Sequence, residues 1–392
     1  MQETCDAVVV GAGLNGAATA YFLLKKGFRR VIILDAGLAG SGASGAAVGL
    51  LRSHYDNFPE TELAAKSMPY FRNWSDMVGG DCGWRPTGFL RFVEHHELEN
   101  MRENVRVQRT LGEAVSILDG NQVRSLAPEF RVDDIGAAVY ERDTGTASNS
   151  LATYTMLKQA CANGAELRPF TRAMTIDVEN GRVTGVVTDK FRIATPVVVL
   201  AAGTWSKEIA ASCGVDLPLT ARLIRVAEIL PPDNIQLSVS YMDPITDSWA
   251  TPRQQGRAII TVPHPQATMP IDLNNYDGEF TRADAEVGLV AVQKRVPGID
   301  ASIVTRWWSR PDCFAPDGKP ILGDVEAVAG LFLNTASAGK GHKVAPAAGL
   351  ALSELIADGC ATTADITRFG LNRFDESLKP WSATQYGKRA IG

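Results

Sequence analysis

The fold is decided at the start of the chain, by residues 6–37, "DAVVVGAGLNGAATAYFLLKKGFRRVIILDAG". "AVVV" is a short apolar run of the kind a buried parallel strand produces. Gly11, Gly13 and Gly16 follow as G-x-G-x-x-G, opening an apolar-periodic helix. A second apolar run, "VIILD", ends in Asp35. Each glycine has a mechanical task in such a unit: Gly11 for the tight turn, Gly13 for approach of a pyrophosphate, Gly16 for close helix–strand packing. The free N–H groups of the helix N-terminus would receive the diphosphate, and Asp35 would accept hydrogen bonds from ribose hydroxyls. The motif predicts a dinucleotide site without choosing between the nicotinamide and flavin dinucleotides.

Two later stretches bear on that choice. "VTGVVTDKFRIATPVVVLAAGTWS" reads as two antiparallel strands and then a strand ending in the small residues Ala201, Ala202 and Gly203, where a ligand can approach the backbone. "DGKPILG" and "GLFLNTASAGKGHKVAPAAGLALSELI" give a turn, a strand, a glycine-rich loop containing Gly339 and Gly341, and a second helix starting near His342 and Lys343. A bulky two-part cofactor would use both helix ends.

The remainder of the sequence excludes several classes. Its 392 residues allow two domains, and 45% hydrophobic with 21% charged residues is ordinary for a globular protein. A net charge of −5 without a basic run argues against nucleic acid as a partner. No apolar stretch is long enough to span a bilayer. The first strand begins close to Met1, leaving no room for an export signal, so a cytoplasmic protein is expected. The six cysteines lack metal-ligand spacing, and no acidic cluster surrounds a histidine, so no metal site is expected.

With these pieces in place, the chain resembles the FAD-dependent amine and amino-acid oxidoreductases that include D-amino acid oxidase, glycine oxidase and sarcosine oxidase. The likeness rests on the opening motif, on "SGASGAAVGLLRSHY", on "VVLAAGTWS", and on "PDGKPILG" with "SAGKGHKVAP". It implies an α/β fold: a Rossmann-like two-dinucleotide-binding FAD domain with a discontinuous second domain built on an antiparallel sheet. Residues 1–85, 145–215 and 310–392 are expected to form the FAD domain, and 86–144 with 216–309 the substrate domain. Ser41 and Ser44 of "SGASG" join the expected cofactor contacts, with His342 and Lys343 at the second helix.

For the substrate, the resemblance puts Arg52 and Lys343 on the guanidinium and ammonium that grip a carboxylate, His264 on a substrate-side histidine, and Trp249 on a wall position held by tyrosine in sarcosine oxidase. Other positions depart from the pattern. The loop reads "GKGHK" where sarcosine oxidase has GHGFK, so Lys340 and His342 are new. Ile260 stands where the oxidase has the lysine that helps dioxygen accept an electron; Arg257, Lys340 or Arg52 would have to supply that charge. Arg310 stands where a cysteine tethers FAD, so non-covalent FAD is expected, and Asp312 where glycine oxidase has a carboxylate-binding arginine. His54, Tyr55 and Trp308 are candidate cavity residues by proximity alone.

The implied function is oxidation of the C–N bond of a small amino acid or N-alkyl amino acid, with hydride passing to flavin N5, imine formation and reoxidation by dioxygen. Two alternatives stand beside it. One is the same chemistry in a dehydrogenase that passes electrons to a carrier or partner subunit; the other is a non-catalytic, FAD-loaded, partner-binding subunit.

Overall fold

The computed structural model describes residues 3–263, 269–276 and 279–375. The opening motif forms as its pattern dictates. Ala7–Val10 and Val31–Leu34 are fully buried parallel strands, and Leu14–Lys25 is the helix between them. They sit at the centre of a six-stranded sheet. Its order is Ile321–Asp324, Leu331–Thr335, Val198–Leu200, Ala7–Val10, Val31–Leu34, Ala165–Arg168, parallel except for the first pair. Unbroken Val, Ile and Leu in these strands reflect burial on both faces. One face is covered by Leu14–Lys25, Asn149–Ala162 and Gly341–Asp358. The other is covered by a four-stranded sheet that contains the hairpin Ala173–Glu179 and Arg182–Thr188.

The second layer of the molecule is an eight-stranded, largely antiparallel sheet. Its order is Ile303–Phe314, Thr220–Leu230, Ala258–Thr261, Ser248–Pro252, Ser240–Asp243, Phe89–Val93, Ala137–Glu141, Val115–Leu118. Only the Ser240–Asp243 and Phe89–Val93 neighbours run parallel, a pairing that the long intervening chain permits. Side chains alternate across it. Leu90, Phe92, Tyr241, Ala250, Ile260 and Ala227 form a core against the helix Arg282–Gln293. Phe89, Arg91, Met242, Trp249, Thr251, Arg253 and Trp308 point the other way, over residues 46–52. Two hydrogen bonds tie this face down: Trp308 Nε1 donates to Ala46 O at 2.8 Å, and Arg253 donates to Val48 O.

Candidate active site

The glycines of the first motif leave no room for side chains. A Cβ on Gly16 would lie 1.9 Å from Gly11 O, and one on Gly11 would lie 2.4 Å from Ala201 O, where Gly11 also adopts φ +108°. Asp35 is bound by the backbone: it accepts from Ala12 N at 2.9 Å and from Gly37 N at 2.8 Å. Its carboxylate thus shapes the glycine loop while lining the adjoining cavity. Ser44 Oγ accepts from Leu14 N at 3.0 Å, at the N-terminus of the first helix.

That cavity has a volume of about 540 Å³, within the ordinary range of a ligand site. Its wall runs from Gly11 and Gly13 past Asp35, Ser41 and Ser44, then Ala201, Ala202 and Gly203, to Gly339, Gly341 and His342. The sequence-predicted cofactor residues from three separated stretches therefore meet in one space, with Gly16 packed behind it. Lys343, the last of them, follows His342 in the same helical turn. The wall also carries buried polar atoms with no hydrogen-bond partner: Asn15 Oδ1, Asn149 Oδ1, Thr204 Oγ1 and both ring nitrogens of His342. Leaving such atoms unpaired costs about 1–3 kcal/mol each, so the cavity is built for a polar ligand. A long dinucleotide with phosphate, ribose and a heterocycle fits the glycine-lined approach and the unpaired groups of Asn15, Asn149 and Thr204. Asn15, Asn149 and Thr204 escaped the sequence reading because polar residues at helix starts and strand ends look like caps.

Arg52 and Lys343 are both buried, 2% and 4% exposed, and close enough for their charges to interact. Arg52 donates to His54 O and stacks its guanidinium over Tyr55, 4.1 Å from the ring centroid. Arg52 Nε and Tyr55 Oη have no hydrogen-bond partner. Lys343 Nζ donates to Gly339 O at 3.1 Å. Burial, together with the positive charges of Arg52 and Lys340, holds its ammonium well below the usual lysine range. Neither cation makes an ion pair with a carboxylate among the described residues.

Lys340 differs. Its Nζ reaches Glu60 Oε1 at 2.7 Å and Gly318 O at 2.7 Å, while Lys319 reaches Glu60 Oε2 at 2.7 Å. Both lysines lower Glu60 to about 2 against the cost of its burial. This triad pins the 339–343 loop to the helix Phe58–Arg72 and to the turn at Gly318.

Trp249 is half-buried on the inward face of the sheet, against Leu50, Phe89 and Met242. His264 lies outside the described residues. Ile260 is not over the cavity. It is fully buried on the opposite sheet face, beneath the helix Arg282–Gln293, and the inward positions of its strand are Ile259 and Thr261. Ile260 therefore does not occupy the place over the flavin that the resemblance implies. The strand still offers no cation. Arg257, a proposed substitute, is largely exposed and paired with Glu228 at 3.2 Å. Asp312 does line the cavity; burial raises its carboxyl, opposed by hydrogen bonds from Cys313 N and Gly339 N. His54 is buried and bonded through Nδ1 to Gln108 Oε1 at 2.8 Å, one step from a network in which Ser53 and Gln108 donate to buried Glu141. No metal-binding cluster occurs among the described residues, nor does any helix there have the length and apolarity to cross a membrane.

Comparison with known proteins agrees with this architecture. The β subunit of sarcosine oxidase from Rhodobacter capsulatus is 25% identical over 378 residues, covering 95% of this chain and 89% of that protein. Human mitochondrial sarcosine dehydrogenase is 27% identical over 392 residues, but the alignment spans only 42% of its length. The crystal structure of L-proline dehydrogenase from P. horikoshii superposes with a TM-score of 0.87, covering 97% of this chain and 100% of that one, at 22% identity; it shows the fold. The family model of the FAD dependent oxidoreductases, DAO, matches residues 6–355, and the chain belongs to that family.

Proposed function

We propose that the protein oxidises the carbon–nitrogen bond of a small amino acid or N-alkyl amino acid. The observation that carries this reading is the pair Arg52 and Lys343: two buried cations, close enough to perturb one another, neither of them in an ion pair with a carboxylate among the described residues. Asp312 and Glu60 offset part of the charge at Lys343 from further away. A buried charge without a partner is costly, and a small anion between a guanidinium fork and an ammonium makes charge-assisted hydrogen bonds. The carboxylate of the substrate is that anion. The relatives named for sarcosine oxidase and sarcosine dehydrogenase support an amine as the rest of the molecule.

FAD would lie along the glycine-lined cavity, its diphosphate by Gly11, Gly13 and Ser44 and its ribose by Asp35. The 201–203 and 339–343 segments would enclose the ring end. When bound, FAD supplies the two-electron acceptor for the carbon–hydrogen bond next to nitrogen. The chain's own contribution is positional. Arg52 and Lys343 fix the carboxylate, Trp249 and Tyr55 close the space around the substrate, and the sheet above residues 46–52 excludes water. Attachment of FAD is non-covalent in this reading: Arg310 replaces the tethering cysteine, and burial pushes the nearby Cys313 thiol up to about 12.

Dioxygen is the proposed acceptor of the electrons, with Arg52 and Lys343 supplying positive charge, because Lys340 is paired with Glu60. The lack of a cation at Ile259 and Thr261 favours a second reading, a dehydrogenase that passes electrons to a carrier or a partner subunit. Anaerobic addition of a panel of glycine, sarcosine, proline and D- and L-amino acids to the FAD-loaded protein tests the proposal. Loss of the absorbance near 450 nm with one of them is expected; a flavin that stays yellow with all would overturn it.

A further inference from the structure

His342 stands where the sarcosine oxidase pattern has phenylalanine, and its surroundings do not explain an imidazole. It is 7% exposed and packs edge-on against Phe71, with ring centroids 5.1 Å apart and planes at 87°. A phenylalanine would make that contact equally well. Both ring nitrogens lack a hydrogen-bond partner, yet the residue lines the cavity in the first turn of the helix Gly341–Asp358. Two orphaned polar atoms beside a ligand space mark a group that meets its partner in the bound state.

The charges around His342 restrict that partner. Lys343 follows it in sequence, and the positive charges of Lys343 and Arg253, with burial, hold the imidazole down to about 3. It is therefore neutral, with one acceptor nitrogen and one donor. Asp312 lines the same cavity, so this wall carries a carboxyl group as well as the imidazole acceptor. Lys343 of the proposed clamp is the next residue of the same helical turn and lies close enough to Asp312 for their charges to interact. The imidazole and the carboxyl group thus border the clamp, and together they have the polarity of an amino acid: negative end at Arg52 and Lys343, nitrogen next to it.

We propose that His342 accepts a hydrogen bond from the substrate nitrogen, making it the residue that selects an amine bearing at least one N–H. The inference rests on the carboxylate clamp proposed above. A single imidazole acceptor favours primary and secondary amines over tertiary ones, which present no N–H in their neutral form.

Two unreactive probes of the same shape test it on the FAD-loaded protein. 2-Methylalanine has an amino group and no hydrogen on its α-carbon; 2,2-dimethylpropanoate replaces that amino group with methyl. Binding is read from the perturbation of the flavin spectrum. The unmodified protein should bind both, and His342→Phe should weaken 2-methylalanine by about tenfold or more while leaving 2,2-dimethylpropanoate unchanged. His342→Gln, which keeps an acceptor, should recover most of that difference, and His342→Leu repeats the comparison should the phenylalanine variant misfold. Equal loss for both probes, or loss for neither, would overturn the assignment. A changed FAD affinity without discrimination between the probes would do so as well, by assigning the imidazole to the cofactor. If Arg52→Ala leaves 2,2-dimethylpropanoate binding intact, the clamp itself fails, and the nitrogen assignment falls with it.

Discussion

Arg52 and Lys343 lie near opposite ends of the sequence, yet they converge as two buried cations, neither of them in an ion pair with a carboxylate among the described residues. Their mutual repulsion is visible in the depressed ammonium of Lys343, to which Arg52 contributes. Replacing Lys343 with Met should therefore raise the melting temperature of the ligand-free protein, because an unpaired buried charge is removed. The same variant should bind 2,2-dimethylpropanoate about 10–100-fold more weakly, since it lacks one charge-assisted bond. Unchanged binding would remove Lys343 from the clamp. Thermal denaturation and spectral titration measure the two effects.

Glu60 presents the opposite balance. It is buried with two lysines on its oxygens, so Glu60→Ala removes the carboxylate from Lys340 and leaves Lys319 with Asp56, at 3.3 Å. A loss of about 3–5 kcal/mol in unfolding free energy is expected in denaturant titration. Glu60→Ala with Lys340→Met should cost less than the sum of the two single changes.

Asp35→Ala removes an acceptor from Ala12 N and Gly37 N and one from the proposed ribose site. FAD affinity should fall by about 1–3 kcal/mol, and the protein should elute partly colourless from gel filtration. Gly16→Ala is more severe, because its Cβ would overlap Gly11 O at 1.9 Å. It should cost several kcal/mol of stability or prevent folding, read from soluble yield and chemical denaturation.

Burial raises Glu141 from 4.5 to about 7, despite donors from Ser53. Between those values the folded state holds a proton that the unfolded chain has released. Its contribution to stability is thus present below about pH 4.5 and is lost as pH rises toward 7. Glu141→Gln should remove this part of the slope and stabilise the protein at pH 8 relative to its parent. The comparison of melting temperatures at pH 5 and pH 8 checks the sign.

His54 and His342 act in the other direction. Both are held down to about 3, so each loses its contribution as pH falls below the ordinary histidine value of 6.5. His342→Phe should reduce the number of protons taken up on unfolding near pH 5 by about one, which the pH dependence of the unfolding free energy reports.

Much of this architecture was legible in the sequence because it depends on local chemistry. Residues 6–37 specify strand, turn, helix and strand by glycine placement and apolar period alone. The "VVLAAG" and "SAGKGHK" stretches were legible for the same reason, as small residues at strand ends beside helix starts. What failed was information held in pairing across distance. The inward or outward direction of Ile260 depends on strand register, and a shift of one residue reverses it. The Glu60 triad was invisible because its members come from three segments, and Lys340 reads in sequence as a candidate charge near the flavin, with nothing to tie it to Glu60. Likewise, the orphaned nitrogens of His342 become informative only once the wall around them is known.

The parallel contact between Phe89–Val93 and Ser240–Asp243 has a consequence for how the molecule is made. A ribosome releases the first of these strands long before the second, so its edge stays open while a long stretch of polypeptide emerges. Assembly must await late-synthesised residues, and fragments ending before Ser240 should be captured by chaperones or precipitate. Circular permutants that bring the two strands closer in order of synthesis should mature faster.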